Sequence, residues 1–303
     1  KKACLLFVIF LLIPLGCGDE GESEPEVKIG TMKQVTFSAG NYPDWSPDGT
    51  RIIYTAGNSV LTISADGGDS LLIAAIEGGK VFHPRFNPAD ASQICFVNQD
   101  AAAEEWAIYV QTIGSDPEKI FSQLKQISSV SFTRDGTEIA FTKDPGSTGG
   151  VWLIPTSGGE VTSWPRDGGW SIISDVECAV DADLISFIEI DDGQAQNLFT
   201  LPKSGGTATK VTSFGTGKDF TQAARTRDGS KYCIRWGQRI WYGTDFNLYM
   251  MNSNGEEIEQ VTTMSRPFDP NFPAWSPDGT KLALSRQPSG DDPVSLFVID
   301  LTK

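Results

Sequence analysis

The chain has 303 residues, and its 39 acidic against 24 basic side chains give a formal net charge of −15. A chain this acidic is repelled by nucleic acid and by anionic lipid surfaces, which argues against both as partners. A hydrophobic content of 39% with 31 glycines and 17 prolines favours an all-β domain with many turns.

The N-terminus has the order of a secretory signal. Lys1 and Lys2 precede an apolar stretch over residues 3–15, which ends at Gly16-Cys17 and is too short for a membrane span of about 20 residues. The glycine-cysteine pair resembles the end of a bacterial lipoprotein signal, in which the cysteine is lipidated. We therefore predict a signal peptide over 1–16, lipidation of Cys17 and an acidic, flexible tether over 17–30, with plain secretion as the alternative.

A short peptide then recurs along the chain. Residues 45–50, Trp-Ser-Pro-Asp-Gly-Thr, return as residues 275–280, with decayed copies near Phe86, Phe132 and Arg227 and a worn one near Asp181. A full copy has an aromatic residue, a polar turn and an alternating apolar run, which predicts a strand, a tight hairpin and a second strand. The fifth copy is also worn, since Arg225 stands in the aromatic position. Proline, aspartate and glycine suit the corners of such a turn, so folding alone explains the motif.

A third apolar segment follows each copy, and several of these segments end in a glycine turn and a short fourth strand such as Val261-Thr262. Four strands in roughly 40 to 50 residues are typical of a β-propeller blade. The sequence predicts an all-β, six-bladed propeller with four-stranded antiparallel blades. The sixth copy lacks its fourth strand, and residues 33–37 match residues 259–263, so we expect the N-terminal strand to close the last blade and residues 31–303 to form one domain.

These motifs resemble the TolB-type propeller repeat. The resemblance covers the Ser-Pro-Asp-Gly turns, the Gly158-Gly159 type of turn and the Val-Thr fourth strand. It implies a non-enzymatic, monomeric lipoprotein of the bacterial periplasm that binds an envelope protein or an extended peptide. The lipid alone is expected to hold the protein at a membrane, and the outer membrane is the expected one. Because similar propellers also include carbohydrate-active enzymes, a carbohydrate-binding or carbohydrate-active propeller is the alternative.

Catalytic residues are scarce. The single histidine, His83, rules out a site with several histidines, and its place before Pro84 at the start of the second copy predicts a loop or rim position. Close aspartate pairs lie in turns, where aspartate is common. No catalytic residue, cofactor or metal is predicted, and three cysteines are expected to be buried free thiols: Cys95, Cys178 and Cys233.

Propeller geometry divides the loops between two faces. We call the face with the aspartate-glycine hairpins the hairpin face, and the opposite one, with the longer loops, the loop face. Aromatic and arginine side chains on rigidly held loops are typical of binding hot spots. The predicted binding rim on the loop face consists of Trp164, Arg166, Trp170, Arg239, Trp241, Tyr242 and Phe268. We also expect a locally basic area from Arg225, Arg227, Arg235 and Arg239, with padding between blades as the alternative role of the tryptophans.

Overall fold

A computed structural model describes residues 26–143, 150–165, 173–178, 183–190, 195–240, 243–264, 266, 268–288 and 292–302. These residues form strands and turns. None of the described segments is a helix with the length and apolar character needed to cross a membrane. The predicted signal peptide, Cys17 and most of the predicted tether lie outside the described ranges.

The strands form six four-stranded antiparallel sheets, which confirms the predicted six-bladed propeller. Blades one and two consist of β3 Asn41–Trp45, β4 Arg51–Ala56, β5 Ser59–Ser64 and β6 Leu71–Ala75, then β7 Gly79–Phe86, β8 Gln93–Asp100, β9 Glu105–Thr112 and β10 Glu118–Gln123. Blades three and four consist of β11 Ile127–Phe132, β12 Glu138–Lys143, β13 Gly150–Pro155 and β14 Thr162–Pro165, then β15 Ile173–Cys178, β16 Leu184–Ile190, β17 Gln196–Pro202 and β18 Thr209–Lys210.

Blade five contains β19 Lys218–Arg225, β20 Lys231–Ile240, β21 Gly243–Asn252 and β22 Glu259–Gln260. Blade six contains β24 Asn271–Trp275, β25 Lys281–Arg286 and β26 Ser295–Asp300, and its fourth strand is β2 Thr31–Gln34. The first strand of each blade packs against the first strands of its two neighbours, so these six strands surround the axis.

The recurring hairpin is held by its aspartate. Asp48 Oδ1 accepts hydrogen bonds from Ser46 Oγ at 2.6 Å and from Thr50 N at 3.0 Å, and Gly49 takes the positive φ of 72° that a side chain would oppose. The sixth blade repeats this arrangement around Asp278. These bonds explain why the motif needs a hydroxyl, an aspartate and a glycine in that order.

The motif tryptophans tie neighbouring blades together. Trp45 Nε1 donates to Ala274 O of blade six, and Trp275 Nε1 donates to Ala224 O of blade five. Both indoles are buried, and a buried N–H needs such a partner. Of the three predicted buried thiols, Cys95 and Cys233 are buried and Cys178 is partly so, and all three are free.

The N-terminal strand closes the ring as predicted. β2 pairs with β26 in the antiparallel sense, and Thr36 Oγ1 accepts the Leu296 N–H at 2.9 Å. Thr212 and Thr262 accept the equivalent N–H groups in blades four and five, which explains the Val-Thr signature of the fourth strand.

A two-stranded extension precedes this closure. β1 Glu26–Val27 pairs with β23 Thr262–Thr263 at the edge of blade five. Because β1 falls within the segment 17–30, the propeller engages the chain a few residues before residue 31. The division at residues 16, 17 and 31 remains a prediction.

Candidate functional site

A funnel runs into the propeller from the hairpin face. The first strands supply its walls, and the turns that follow them supply its mouth, around Pro47, Pro88, Pro277 and Arg227. Arg225 also lines the upper part, and further down the funnel is lined by side chains that include Asp44, Arg85 and Glu177. The space enclosed is about 650 Å³ including the open mouth. We call this cavity the axial funnel.

An ion pair forms the floor of the axial funnel. Arg85 Nη2 of blade two lies 3.2 Å from Glu177 Oε1 of blade four, so the pair spans the width of blade three. Asp44 lies beside it in the wall and accepts the Phe86 N–H at 2.9 Å. Burial raises the pKa of Asp44, and the nearby Arg85 opposes that rise. The acidic groups of the floor are thus engaged in bonds between blades.

Three rings pack behind this floor, toward the loop face. Tyr42, His83 and Phe272 occupy equivalent positions before a proline and have positive φ values of 54°, 48° and 52°. The ring of Tyr42 lies 4.4 Å from His83 and 4.0 Å from Phe272 between centroids. The predicted loop or rim position of His83 is therefore wrong: the residue lies in β7 and is buried at the axis. Burial lowers the pKa of His83 to about 3, so its imidazole is neutral near pH 7.

Two arginines of blade five point into the upper funnel. Arg227 Nη1 donates to Pro47 O at 3.1 Å and Nη2 to Pro88 O at 3.4 Å, which carries its guanidinium across the mouth to blades one and two. Arg225 bonds Gly229 O through Nε and Nη2, at 3.2 and 3.0 Å. Its Nη1 is buried and has no hydrogen-bond partner among the residues that the structure describes.

The predicted basic area is divided in the structure. Arg225 and Arg227 belong to the funnel, whereas Arg235 is buried, lies 3.5 Å from the Phe246 ring centroid and donates to Pro270 O. Arg239 is exposed and pairs with Asp219 at 2.7 Å. A single patch of four arginines was the wrong interpretation. Arg225 and Arg227 lie at the hairpin end of blade five, whereas Arg235 and Arg239 lie further along β20 toward the loop face.

The predicted rim is described at three of its seven residues. Trp164 is half-buried in β14, where its indole lies against Gly205 of the next blade. Phe268 is half-buried, with the Arg286 guanidinium 5.9 Å from its ring centroid, and Arg239 is the exposed member. Arg166, Trp170, Trp241 and Tyr242 lie outside the described residues, so the rim remains a prediction.

Sequence reasoning missed the charged floor. Asp44, Arg85 and Glu177 occupy the same place in their repeats, one residue before Trp45, Phe86 and Cys178. Aligning the copies on the aromatic position would have shown a column facing the axis with polar members in several blades. Within the described ranges, no group of three or more histidine, cysteine, aspartate or glutamate side chains could hold a metal ion.

Comparison with known proteins identifies the fold. No family model matches the sequence, and no curated protein matches it either. A structure described as TolB from Agrobacterium tumefaciens matches with a TM-score of 0.66 at 15% identity, over 89% of this chain and 96% of the other.

Two further structures share the fold. TolB from Acinetobacter baumannii matches with a TM-score of 0.65 at 17% identity, over 87% of this chain, which spans 64% of that protein. An oligogalacturonate lyase from Vibrio parahaemolyticus matches with a TM-score of 0.61 at 12% identity, over 86% of this chain and 78% of that one. The chain is a six-bladed β-propeller of the TolB type in fold.

Proposed function

We propose that this protein is a non-enzymatic binding scaffold whose axial funnel receives a segment of a partner protein. The observation that carries the proposal is a preformed cavity with two arginines that are in no ion pair in the described part of the chain. Preformed concave sites with a few convergent polar groups are the usual place of ligand binding. The Arg85–Glu177 pair and the Asp44 bond between blades fix the walls in place.

A binding role fits the chemistry of the funnel better than catalysis does. His83 is buried behind the floor, and Glu177 is paired with Arg85. A general base must reach the proton that it takes, and these groups are committed to structural contacts. The upper funnel offers donors, which suit recognition of an acceptor group on a partner.

The proposed location is the bacterial periplasm, with a lipid anchor at Cys17. The support is the signal-like order of residues 1–17 and the likeness in fold to TolB structures. Replacing the thiol in Cys17→Ser should release the protein into the soluble periplasmic fraction, because acyl chains hold a protein at a bilayer and an acidic tether does not. Fractionation followed by immunoblotting checks this result. A wild-type protein that is already soluble would contradict the anchor.

Affinity capture from envelope extract tests the scaffold proposal. We expect the wild-type propeller to retain a partner that the double variant Arg225→Gln/Arg227→Gln loses. Arg134→Gln is the matched control, because Arg134 occupies in blade three the hairpin position that Arg227 occupies in blade five and does not line the funnel. Equal retention by the wild type and the double variant, with unchanged melting, would place the partner elsewhere.

A carbohydrate-active propeller is the second candidate. Asp44 and Glu177 both line the funnel, and two carboxyl groups with different environments are the usual pair in glycoside chemistry. The described aromatic side chains give it less support: Trp236 is stacked on Phe214 at 5.0 Å and covered by Lys218 Nζ at 3.6 Å, so its faces are not free for a sugar. Turnover of a polysaccharide panel by the wild type, abolished in Asp44→Asn, would favour this candidate over the scaffold.

A further inference from the structure

We propose that the axial funnel binds the C-terminal end of a polypeptide, with Arg225 and Arg227 holding its terminal carboxylate. This inference rests on the proposed binding function and names the chemistry of the partner. The ligand group is the carboxylate of a free chain end and not an acidic side chain within a chain, and the test below separates the two.

The charge of the funnel differs from that of the whole protein. The protein as a whole is acidic, with a formal net charge of −15, yet its funnel holds three arginines and two carboxyl groups. Arg85 is paired with Glu177, and Asp44 lies close enough to Arg85 to feel its charge. The upper funnel is left with Arg225 and Arg227, whose hydrogen-bond acceptors among the described residues are backbone carbonyls. The Arg225 guanidinium also lies 5.2 Å from the Tyr232 ring centroid, a contact that leaves its charge without a counter-ion in the described part of the chain. The site therefore complements an anion.

Arg225 has one N–H group that is available to a ligand. Nε and Nη2 of Arg225 both donate to the Gly229 carbonyl, and its Nη1 is buried without a hydrogen-bond partner among the described residues. A buried donor without an acceptor is costly, and a carboxylate oxygen is the acceptor that best matches a guanidinium. Arg225 also stands where four other blades carry an aromatic residue, so the folding motif does not require it there.

The axial funnel is closed at its lower end. The Arg85–Glu177 pair and the rings of Tyr42, His83 and Phe272 lie one behind the other across the axis, below the lining of the upper funnel. A polypeptide therefore enters the funnel by an end or by a narrow loop. An N-terminal end brings a positive charge toward two arginines, whereas a C-terminal end brings a carboxylate.

Arg227 controls the entry of a ligand into the funnel. Arg227 crosses the mouth on two bonds to carbonyl groups, and the longer one is 3.4 Å. Its side chain is long and partly buried, and exchanging two neutral acceptors for one carboxylate gives it shorter, charge-assisted bonds. The entering carboxylate thus replaces Pro47 O and Pro88 O as the acceptor for Arg227.

The test uses the full chain and a peptide library with four randomised C-terminal positions and an N-terminal fluorescent label. Every peptide is made both as the free acid and as the C-terminal amide, and binding is measured by fluorescence polarisation. We expect binders among the free acids and a loss of about tenfold to a hundredfold on amidation, the range that corresponds to hydrogen bonds with a charged group. Arg225→Gln should lose part of that affinity for the free acid, and the double variant Arg225→Gln/Arg227→Gln should bind acid and amide alike.

Three controls make the result specific. Arg134→Gln should bind as the wild type does, and Arg225→Lys, which keeps the charge but not the planar fork, should bind the free acid with intermediate affinity. Thermal melting of each variant shows whether the fold is intact. If Arg225→Gln fails to fold, Arg227→Gln and the acid-to-amide comparison on the wild type still decide the question.

Equal affinity for the free acids and the amides overturns this inference, also where the affinity depends on an acidic residue inside the peptide. That result is still compatible with a scaffold that binds peptides. The absence of any binder in either form also overturns it. Envelope capture then decides the proposed function separately, because that experiment does not require a free chain end.

Discussion

At the residue scale, Trp164 fills the space that a β-carbon on Gly205 would need. Gly205 and Gly206 both have positive φ, at 86° and 116°, but nothing lies within 4 Å of a β-carbon at Gly206. Either change to alanine should lower the free energy of unfolding by about 1–2 kcal/mol, because a β-carbon is strained at a positive φ. Gly205→Ala should lower it by about 1–3 kcal/mol more, because the new methyl group overlaps the Trp164 indole. Urea denaturation of the two variants measures the difference.

The double variant Gly205→Ala/Trp164→Ala serves as the control, because removing the indole should relieve the overlap. Its loss of stability should be smaller than the sum of the two single losses. Equal stability of Gly205→Ala and Gly206→Ala would mean that Trp164 does not pack here and is free to act in the predicted rim.

His83 gives the stability of the fold a distinct dependence on pH. Its folded pKa is lowered to about 3 by burial, and an unfolded histidine titrates near 6.5. The unfolded chain therefore binds one more proton below about pH 6.5, and stability falls as the pH drops from there toward 3. The free energy of unfolding should decrease by about 1.4 kcal/mol between pH 7.5 and pH 5.5 through this group.

The variant His83→Phe isolates that effect. Phenylalanine already adopts the same left-handed conformation at the equivalent Phe272, and His83 is the one histidine of the chain. Chemical denaturation at the two pH values should show the decrease in the wild type and its absence in the variant. Parallel curves for both proteins would show that the imidazole is hydrated in the native state.

At the scale of elements, the N-terminal strand decides whether the ring is closed. Deleting residues 1–30 removes β1 but keeps β2 and the hydrogen bond between Thr36 and Leu296. Deleting residues 1–37 also removes β2 and that hydrogen bond. The longer deletion should lower the free energy of unfolding by several kcal/mol relative to the shorter one, because a whole strand and its apolar contacts are lost. Calorimetry on the two truncated chains measures it, and identical melting would mean that the last blade is stable without β2.

The elements themselves could be predicted from the sequence because each one carries its own local signal. The turn around Asp48 and the Thr262 bond of the fourth strand are made within a few residues or between neighbouring strands. Matching these signals gave the number of blades and the closure by residues 33–37.

The funnel could not be predicted in the same way, because its contacts join blades that are distant in the chain. Arg85 meets Glu177 across 92 residues, and Arg227 meets Pro47 across 180. His83 faces the axis because of its left-handed backbone, which no pattern of apolar residues indicates. Arg225 was visible in the sequence, but there it marked a worn copy of the motif rather than a wall of the site.

At the scale of the whole molecule, the two faces of the propeller offer different surfaces. The hairpin face carries the funnel with its arginines, and the loop face carries the predicted rim, of which Arg239 is exposed and described. A partner that binds through the funnel must cover the hairpins around its mouth. A partner of the rim leaves those hairpins free.

Site-specific photo-crosslinking in the envelope tests this account most directly. A photoreactive residue at Ala89, which is exposed beside Pro88 at the funnel mouth, is compared with one at Arg239 on the loop face. We predict a crosslinked protein from position 89 that disappears in the Arg225→Gln background, and none from position 239. An adduct from position 239 alone, unaffected by Arg225→Gln, would contradict the funnel as the binding site.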